Sequence, residues 1–259
     1  MIHTFPTTQH AQAAEDIAAF FAGQAGIDAI LLMGSCARGK ASPDSCLDIL
    51  ILSRPTFLAE NRAQLEQSWQ SYYESSPICQ TLLKTGAYTH VDLEFIDGVF
   101  QPGYHGWTSG ADSFELEIGN TLAYTVPLWE GGTYYRELCA RWLPYYNEDL
   151  RHERLAMVLK YLHNNLDHIP LYAPRGLYFQ CFKRFYQAFE EFLQALFISR
   201  RTYPIAYDKW VYEGVAEILG LPELYACLPH LFEIGQFESQ EIVSKASQLK
   251  SLVSEYIQE

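Results

Sequence analysis

Two short apolar runs, residues 27–33 (IDAILLM) and 46–52 (CLDILIL), are separated by Gly34-Ser35, the turn Cys36-Ala37-Arg38-Gly39 and a polar stretch over residues 40–45. Runs of this length, the first bounded by glycine on both sides, read as buried strands. A strand that runs into Gly-Ser and a short turn of helix is a phosphate-binding arrangement, because a residue without a side chain lets backbone N–H groups approach an anion. Gly-Ser alone is a common turn, and the neighbouring strands give it its meaning. Asp48 projects from the second strand. A third, residues 88–96 (YTHVDLEFI), sets Val91, Leu93 and Phe95 on one face and Asp92 and Glu94 on the other. Carboxylates from adjacent strands beside a phosphate cradle are the ingredients of a magnesium site that activates an attacking hydroxyl and steadies a pyrophosphate leaving group. The plainer reading of Asp92 and Glu94 is a solvated strand face.

The rest of the chain changes texture at mid-length. Residues 11–22 are alanine-rich, carry Ile17, Phe20 and Phe21, and stop at Gly23, as a first helix would. Residues 59–73 read as a polar helix with few apolar anchors. Residues 101–112 (QPGYHGWTSGAD) have no period and read as a loop, a candidate flap over a site. From about Tyr134 helical spacing predominates, over 134–145, 148–168, 176–199, 205–219, 222–233 and 239–257, with Pro170, Pro174, Pro204, Pro222 and Gly235 as punctuation. The segment 177–197 is apolar almost all round, which predicts the buried centre of a helical domain. The expectation is an α+β chain, a sheet domain with flanking helices over 1–130 followed by an all-α helical bundle over 131–259.

Charge and cysteine usage narrow the partners. The net charge is −13, and residues 1–125 carry 5 Lys and Arg against 14 Asp and Glu. Such a surface repels polyanions, so nucleic acid is disfavoured as a partner, while metal ions or a cationic substrate suit the acidic half. The six cysteines are scattered without a CxxC pair, which argues against a disulfide framework and a structural zinc site. No apolar run reaches the roughly 18 to 20 residues of a membrane span, and the N-terminus lacks a signal-peptide pattern, so the expected location is the cytoplasm.

In these residues the chain resembles the nucleotidyltransferases of the DNA polymerase β type, in particular the compact bacterial ones that include aminoglycoside adenylyltransferases. The family pattern is a strand, Gly-Ser, an Ala-Arg-Gly turn and, about ten residues later, Asp-x-Asp on the next strand. Gly34, Ser35, Ala37-Arg38-Gly39, Pro43-Asp44-Ser45 and Asp48 reproduce it in register. The resemblance is sharp over residues 27–52, extends to about 97, and is architectural beyond. It implies a mixed sheet, Gly34 and Ser35 on the β- and γ-phosphates, Arg38 supporting the loop or reaching a phosphate, and Asp48 as a Mg2+ ligand. The third carboxylate it calls for is Asp92 by first choice and Glu94 by second.

One position departs from the pattern. The first Asp of Asp-x-Asp is Cys46, which shares a strand face with Asp48 about 6.6 Å along the chain. A thiol is a soft donor and, with a reference pKa of about 8.5 and acidic neighbours, stays largely protonated, where Mg2+ requires hard oxygens. Asp44, two residues earlier, is a substitute only if the loop folds inward.

A second cluster gathers Lys183, Arg184, Arg200, Arg201 and Lys209 within 27 positions of the helical half. The resemblance implies that Lys183, Arg184 or Lys209 balances the triphosphate. The plainer reading is that Arg200 and Arg201 neutralise a helix C-terminus and Lys209 lies on the surface beside Trp210. His152, His163 and His168 lack the spacing of a zinc pair and read as packing or solvated residues. The tyrosine pairs 72–73, 134–135 and 145–146 read as core before they read as base-stacking platforms. Two functions follow. One is an enzyme moving a nucleoside monophosphate from a nucleoside triphosphate to a hydroxyl of a small molecule, with Mg2+ on Asp48 and Asp92. The other is a nucleotide-binding module that lost catalysis through Cys46. A third, the fold serving protein contacts alone, needs neither.

Overall fold

In the computed structural model, which describes residues 5–103 and 110–257, the two apolar runs lie side by side. Strands β1 (Ile27–Leu32) and β2 (Leu47–Ser53) pair antiparallel, with Ile30 opposite Ile51 and Leu32 opposite Ile49. All of β1 is buried, as is all of β2 except Asp48, which is half-buried. Strand β3 (Val91–Ile96) runs parallel to β2, so that Asp48 lies opposite Asp92 and Leu50 opposite Glu94. A fourth strand, β4 (Val126–Glu130), adds antiparallel to the other side of β1, giving the order β3-β2-β1-β4. The sheet is therefore mixed. The sequence reading has no β4, because VPLWE is short, carries a proline and lies half-exposed at an edge, where strand patterning is weakest.

Helix α1 (Thr8–Phe21), the short α2 (Gly34–Ala37) between β1 and β2, α3 (Pro55–Ser75) and α4 (Pro77–Leu82) complete the first part of this unit. Ala13, Ile17 and Phe21 of α1, Leu58 and Leu65 of α3 and Leu82 of α4 share one core with Ile30, Leu32, Ile49, Ile51 and Phe95 of the sheet. Side chains alternate along strands, so Asp48 on β2 and Asp92 and Glu94 on β3 emerge on the opposite sheet face. Helix α1 also fixes the approach to β2. Its buried His10 is bonded through Nδ1 to the cap Thr7 (2.7 Å) and through Nε2 to the carbonyl of Ser45 (2.9 Å).

The chain divides into two compact units, residues 1–100 with 118–144 and residues 101–117 with 145–259. Helix α5 (Phe114–Ile118) ends at that junction, and α6 (Tyr134–Trp142) belongs to the sheet unit. Buried Asp28 of β1 caps α6 across more than a hundred residues, its carboxylate accepting the N–H groups of Tyr134 (3.1 Å) and Tyr135 (2.8 Å).

The second unit is a helical bundle built on the hairpin of α7 (Glu148–Tyr172) and α8 (Tyr178–Ser199), with α9 (Pro222–Leu231) and α10 (Glu241–Tyr256) packed on it through Leu224, Leu228, Ile242 and Leu249. Three expectations are corrected. Helix α7 passes Pro170 and ends at Tyr172, since a proline in the last turn removes a single backbone bond. Helix α8 is buried continuously only over residues 191–198, while Phe179 near its start is 80% exposed. The segment 205–219 is helical only from Val211, and six of its residues, Glu213–Ile218, form a π-helix. Part of the candidate flap, residues 104–109, lies outside the described residues. Among the described residues, no helix is long and apolar enough to cross a membrane.

Candidate functional site

Strand β1 ends where the chain must turn sharply, and Gly34 takes that turn at φ 66°. A Cβ there would stand 2.1 Å from the Asp48 carboxylate, so the position excludes a side chain on two grounds, conformation and space. The backbone locks the pair together, Met33 donating its N–H to the Asp48 carbonyl (3.0 Å). Gly34, Ser35 and Cys36 open α2, and the first amides of any helix lack partners within it and point outward. Arg38 closes the turn, half-buried at the C-cap of α2.

Met33, Asp48, Leu50, Asp92 and Glu94 line a crevice of about 340 Å³ on the open face of the sheet. Two of these residues, Asp48 and Asp92, each bring a carboxylate oxygen, and Cys46 brings its Sγ, to within 4.8 Å of one another. The parallel register of β2 and β3 is the cause, since it seats Asp92 directly beside Asp48 and moves Glu94 two residues along. Of the two candidates for a third carboxylate, Asp92 is the one that converges; Glu94 lines the crevice outside the donor group. Asp44 does not fold inward. Its carboxylate accepts the N–H of Ala87 (3.0 Å) in the loop before β3.

The electrostatics follow from this crowding. Burial, then a hydrogen bond to Asp48 and the charges of Asp48 and Asp92, push the Cys46 thiol up to about 12. Cys46 is therefore a protonated donor to Asp48 at neutral pH. Cys36 behind it is buried, also pushed up to about 12, chiefly by desolvation, and its Sγ reaches the Cys46 carbonyl (3.6 Å). Sequence reasoning passed over His90, two positions before Asp92 on the same strand approach. Its Nδ1 lies 2.8 Å from the Tyr88 carbonyl and its Nε2 3.1 Å from Asp92 Oδ2. Both ring nitrogens thus face acceptors, which favours the doubly protonated ring, and the bond to Tyr88, with Asp92 and Asp48 nearby, holds its pKa above the usual range.

The cations of the helical unit have local roles. Arg184 is buried, donates to Asn165 (3.1 Å) and lies over the Tyr172 ring (5.4 Å). Arg201 pairs with Glu148 through two bonds (2.7 and 2.8 Å). Lys183 is exposed, and Lys209 is exposed beside the Trp210 ring (5.6 Å). His168 is bonded to the carbonyl of Asn164 and His152 to Arg151, so these histidines serve helix α7. Tyr145 and Tyr146 are buried and stacked (4.3 Å), a core pair.

The donor set suits a divalent cation but not a full Mg2+ site. Mg2+ demands near-octahedral oxygen coordination, and one of the three converging donors is sulfur. Mg2+ would find two protein oxygens among the converging donors, on Asp48 and Asp92.

Residues 15–83 match the nucleotidyltransferase domain family. No curated protein matches the chain. Among solved structures, a nucleotidyltransferase-like protein from Exiguobacterium sibiricum 255-15 aligns with 94% of this chain and 74% of that one, at 14% identity and a TM-score of 0.45. The matched span runs from within α1 through α4 and holds Gly34, Ser35, Arg38, Cys46 and Asp48, whereas Asp92 and Glu94 follow it. This chain thus carries a nucleotidyltransferase domain of the superfamily that its Gly34-Ser35 segment resembles.

Proposed function

We propose that the protein binds a nucleoside triphosphate at the Gly34-Ser35 turn and transfers the nucleoside monophosphate to a hydroxyl of a small-molecule acceptor in the cytoplasm. The reading is carried by the convergence of Asp48 and Asp92 in one crevice at the Gly34 bend of a nucleotidyltransferase domain. In this reaction the acceptor hydroxyl gives up its proton to the surrounding water, its oxygen bonds to the α-phosphorus, the bond to the bridging oxygen breaks, and pyrophosphate leaves. Outward amides of the turn hold the phosphates, with Arg38 beside them. Asp48 and Asp92 hold the divalent cation that such domains use, and Glu94 extends the acidic lining toward a cationic acceptor. The test incubates the full chain with labelled ATP, CTP, GTP or UTP, a divalent cation and pooled hydroxylated acceptors. Pyrophosphate release above that of Asp48→Ala is expected, and equal release would overturn the reading.

A specific observation favours a second reading, in which nucleotide is bound but not turned over: Cys46 stands in place of a carboxylate and is bonded to Asp48. Calorimetry separates the two. Nucleotide binding without turnover in the wild type, and turnover appearing in Cys46→Asp, would establish the module.

A further inference from the structure

The three converging donors come from β2, the residue just before it and β3, and they differ in kind. Cys46 Sγ and the carboxylates of Asp48 and Asp92 supply one sulfur and two oxygens within 4.8 Å. Zn2+ takes thiolate, imidazole and carboxylate ligands, and its open sites use three protein ligands and leave one position free. A tetrahedral zinc with bonds of about 2.0–2.3 Å needs donors roughly 3.5 Å apart, which side chains this close reach by small rotations. The crevice beside them leaves room for the fourth ligand. Two neighbours shape the surroundings of the carboxylates. Gly34 leaves free the space that the Asp48 carboxylate fills, and His90, anchored at Nδ1 by the Tyr88 carbonyl, reaches Asp92 Oδ2 through Nε2. A histidine bonded to a ligating carboxylate is the arrangement that orients metal ligands from the outer shell.

We propose that Cys46, Asp48 and Asp92 hold a thiophilic divalent cation of the Zn2+ class beside the crevice, the ion displacing the thiol proton of Cys46 to solvent, with His90 as a positioning residue. The ion lies at the same crevice as the proposed reaction, but its binding does not rest on catalysis there. Replacing one hard oxygen by sulfur turns the preference away from Mg2+.

The full chain, freed of metal and kept reduced, is titrated with Co2+ and then with Zn2+ against a chromophoric chelator, without nucleotide. The expected result is a sulfur-to-cobalt charge-transfer band that Zn2+ abolishes and a large excess of Mg2+ does not. In Cys46→Ser the band is lost and Zn2+ binds about 100-fold more weakly. In His90→Asn the band stays, unfolding stability is unchanged, and Zn2+ binds about 10-fold more weakly. In Cys46→Asp the band is lost and Mg2+ competes. Co2+ binding without the band in the wild type, Zn2+ affinity unchanged by Cys46→Ser, or displacement of Zn2+ by Mg2+ would each overturn the proposal. Should Cys46→Ser not fold, Asp92→Asn, on the exposed strand face, reads the same loss of Zn2+ affinity. Absence of nucleotide turnover leaves the titration intact, so failure of the enzyme reading and failure of this one are separately visible.

Discussion

At Gly34 two constraints meet that are separable by substitution. The residue sits at φ 66° and within 2.1 Å, by its missing Cβ, of Asp48; Gly39, at φ 68°, has open space where its Cβ would be. An alanine at either position carries the left-handed strain, about 1–3 kcal/mol. Only the substitution at Gly34 also displaces the Asp48 carboxylate. Denaturant midpoints are therefore expected to fall in both Gly34→Ala and Gly39→Ala, while binding of divalent cation and nucleotide falls in Gly34→Ala alone. Equal binding by the two variants would show that Asp48 tolerates displacement. Single residues also mark how far sequence reading reaches. Gly34, Ser35, Arg38, Cys46 and Asp48 were legible because they sit within fifteen positions of one another. The order of Asp92 before Glu94 rested on the resemblance, because both share a strand face and only the pairing register with β2 distinguishes them.

Helix α7 shows the same limit at the scale of elements. Its existence is plain from periodicity, but its principal tie is not. Arg154, 2% exposed, donates to Asp112 (2.6 Å) and through two nitrogens to Glu115 (2.8 and 3.0 Å), and Gln194 of α8 and Tyr146 complete the shell of Glu115. The partners lie some forty residues away, and nothing local in either segment announces them. Breaking such a buried pair from one side leaves carboxylates without a cation, at a cost of about 3–5 kcal/mol. Arg154→Met is expected to lower the unfolding midpoint accordingly, with hydrogen exchange accelerating first at residues 112–117. A loss below about 1 kcal/mol would mean the pair is dispensable. β4 and the π-helix Glu213–Ile218 escaped the sequence reading for a related reason, since each is settled by what it packs against.

For the whole molecule, one buried acid sets the slope of stability with pH. Glu191 on α8 is fully buried, takes both N–H donors of Asn165 on its two oxygens (3.2 and 2.9 Å), and has its pKa raised by desolvation to about 8; Glu190 adds to the rise and Arg184 opposes it. The native state therefore keeps a proton that the unfolded chain releases near 4.5. Between those values the folded protein binds more protons, so its stability declines as pH rises from about 4.5 to about 8 and then levels. Urea midpoints across this range are expected to trace that decline, on the order of a few kcal/mol. Glu191→Gln should flatten it and be the more stable protein at alkaline pH. A wild-type profile as flat as that of the variant would refute the assignment.

Strand β3 closes one side of the sheet, with no further strand beyond it among the described residues. An open strand invites another chain to pair with it, and charged side chains are what keep it single. Asp92 and Glu94 are those charges. A variant that neutralises both loses more than ligands: it bares a sticky margin, so any precipitation it shows reports on that margin and is to be separated from its chemistry by comparison with Asp48→Asn, whose altered residue lies one strand inward.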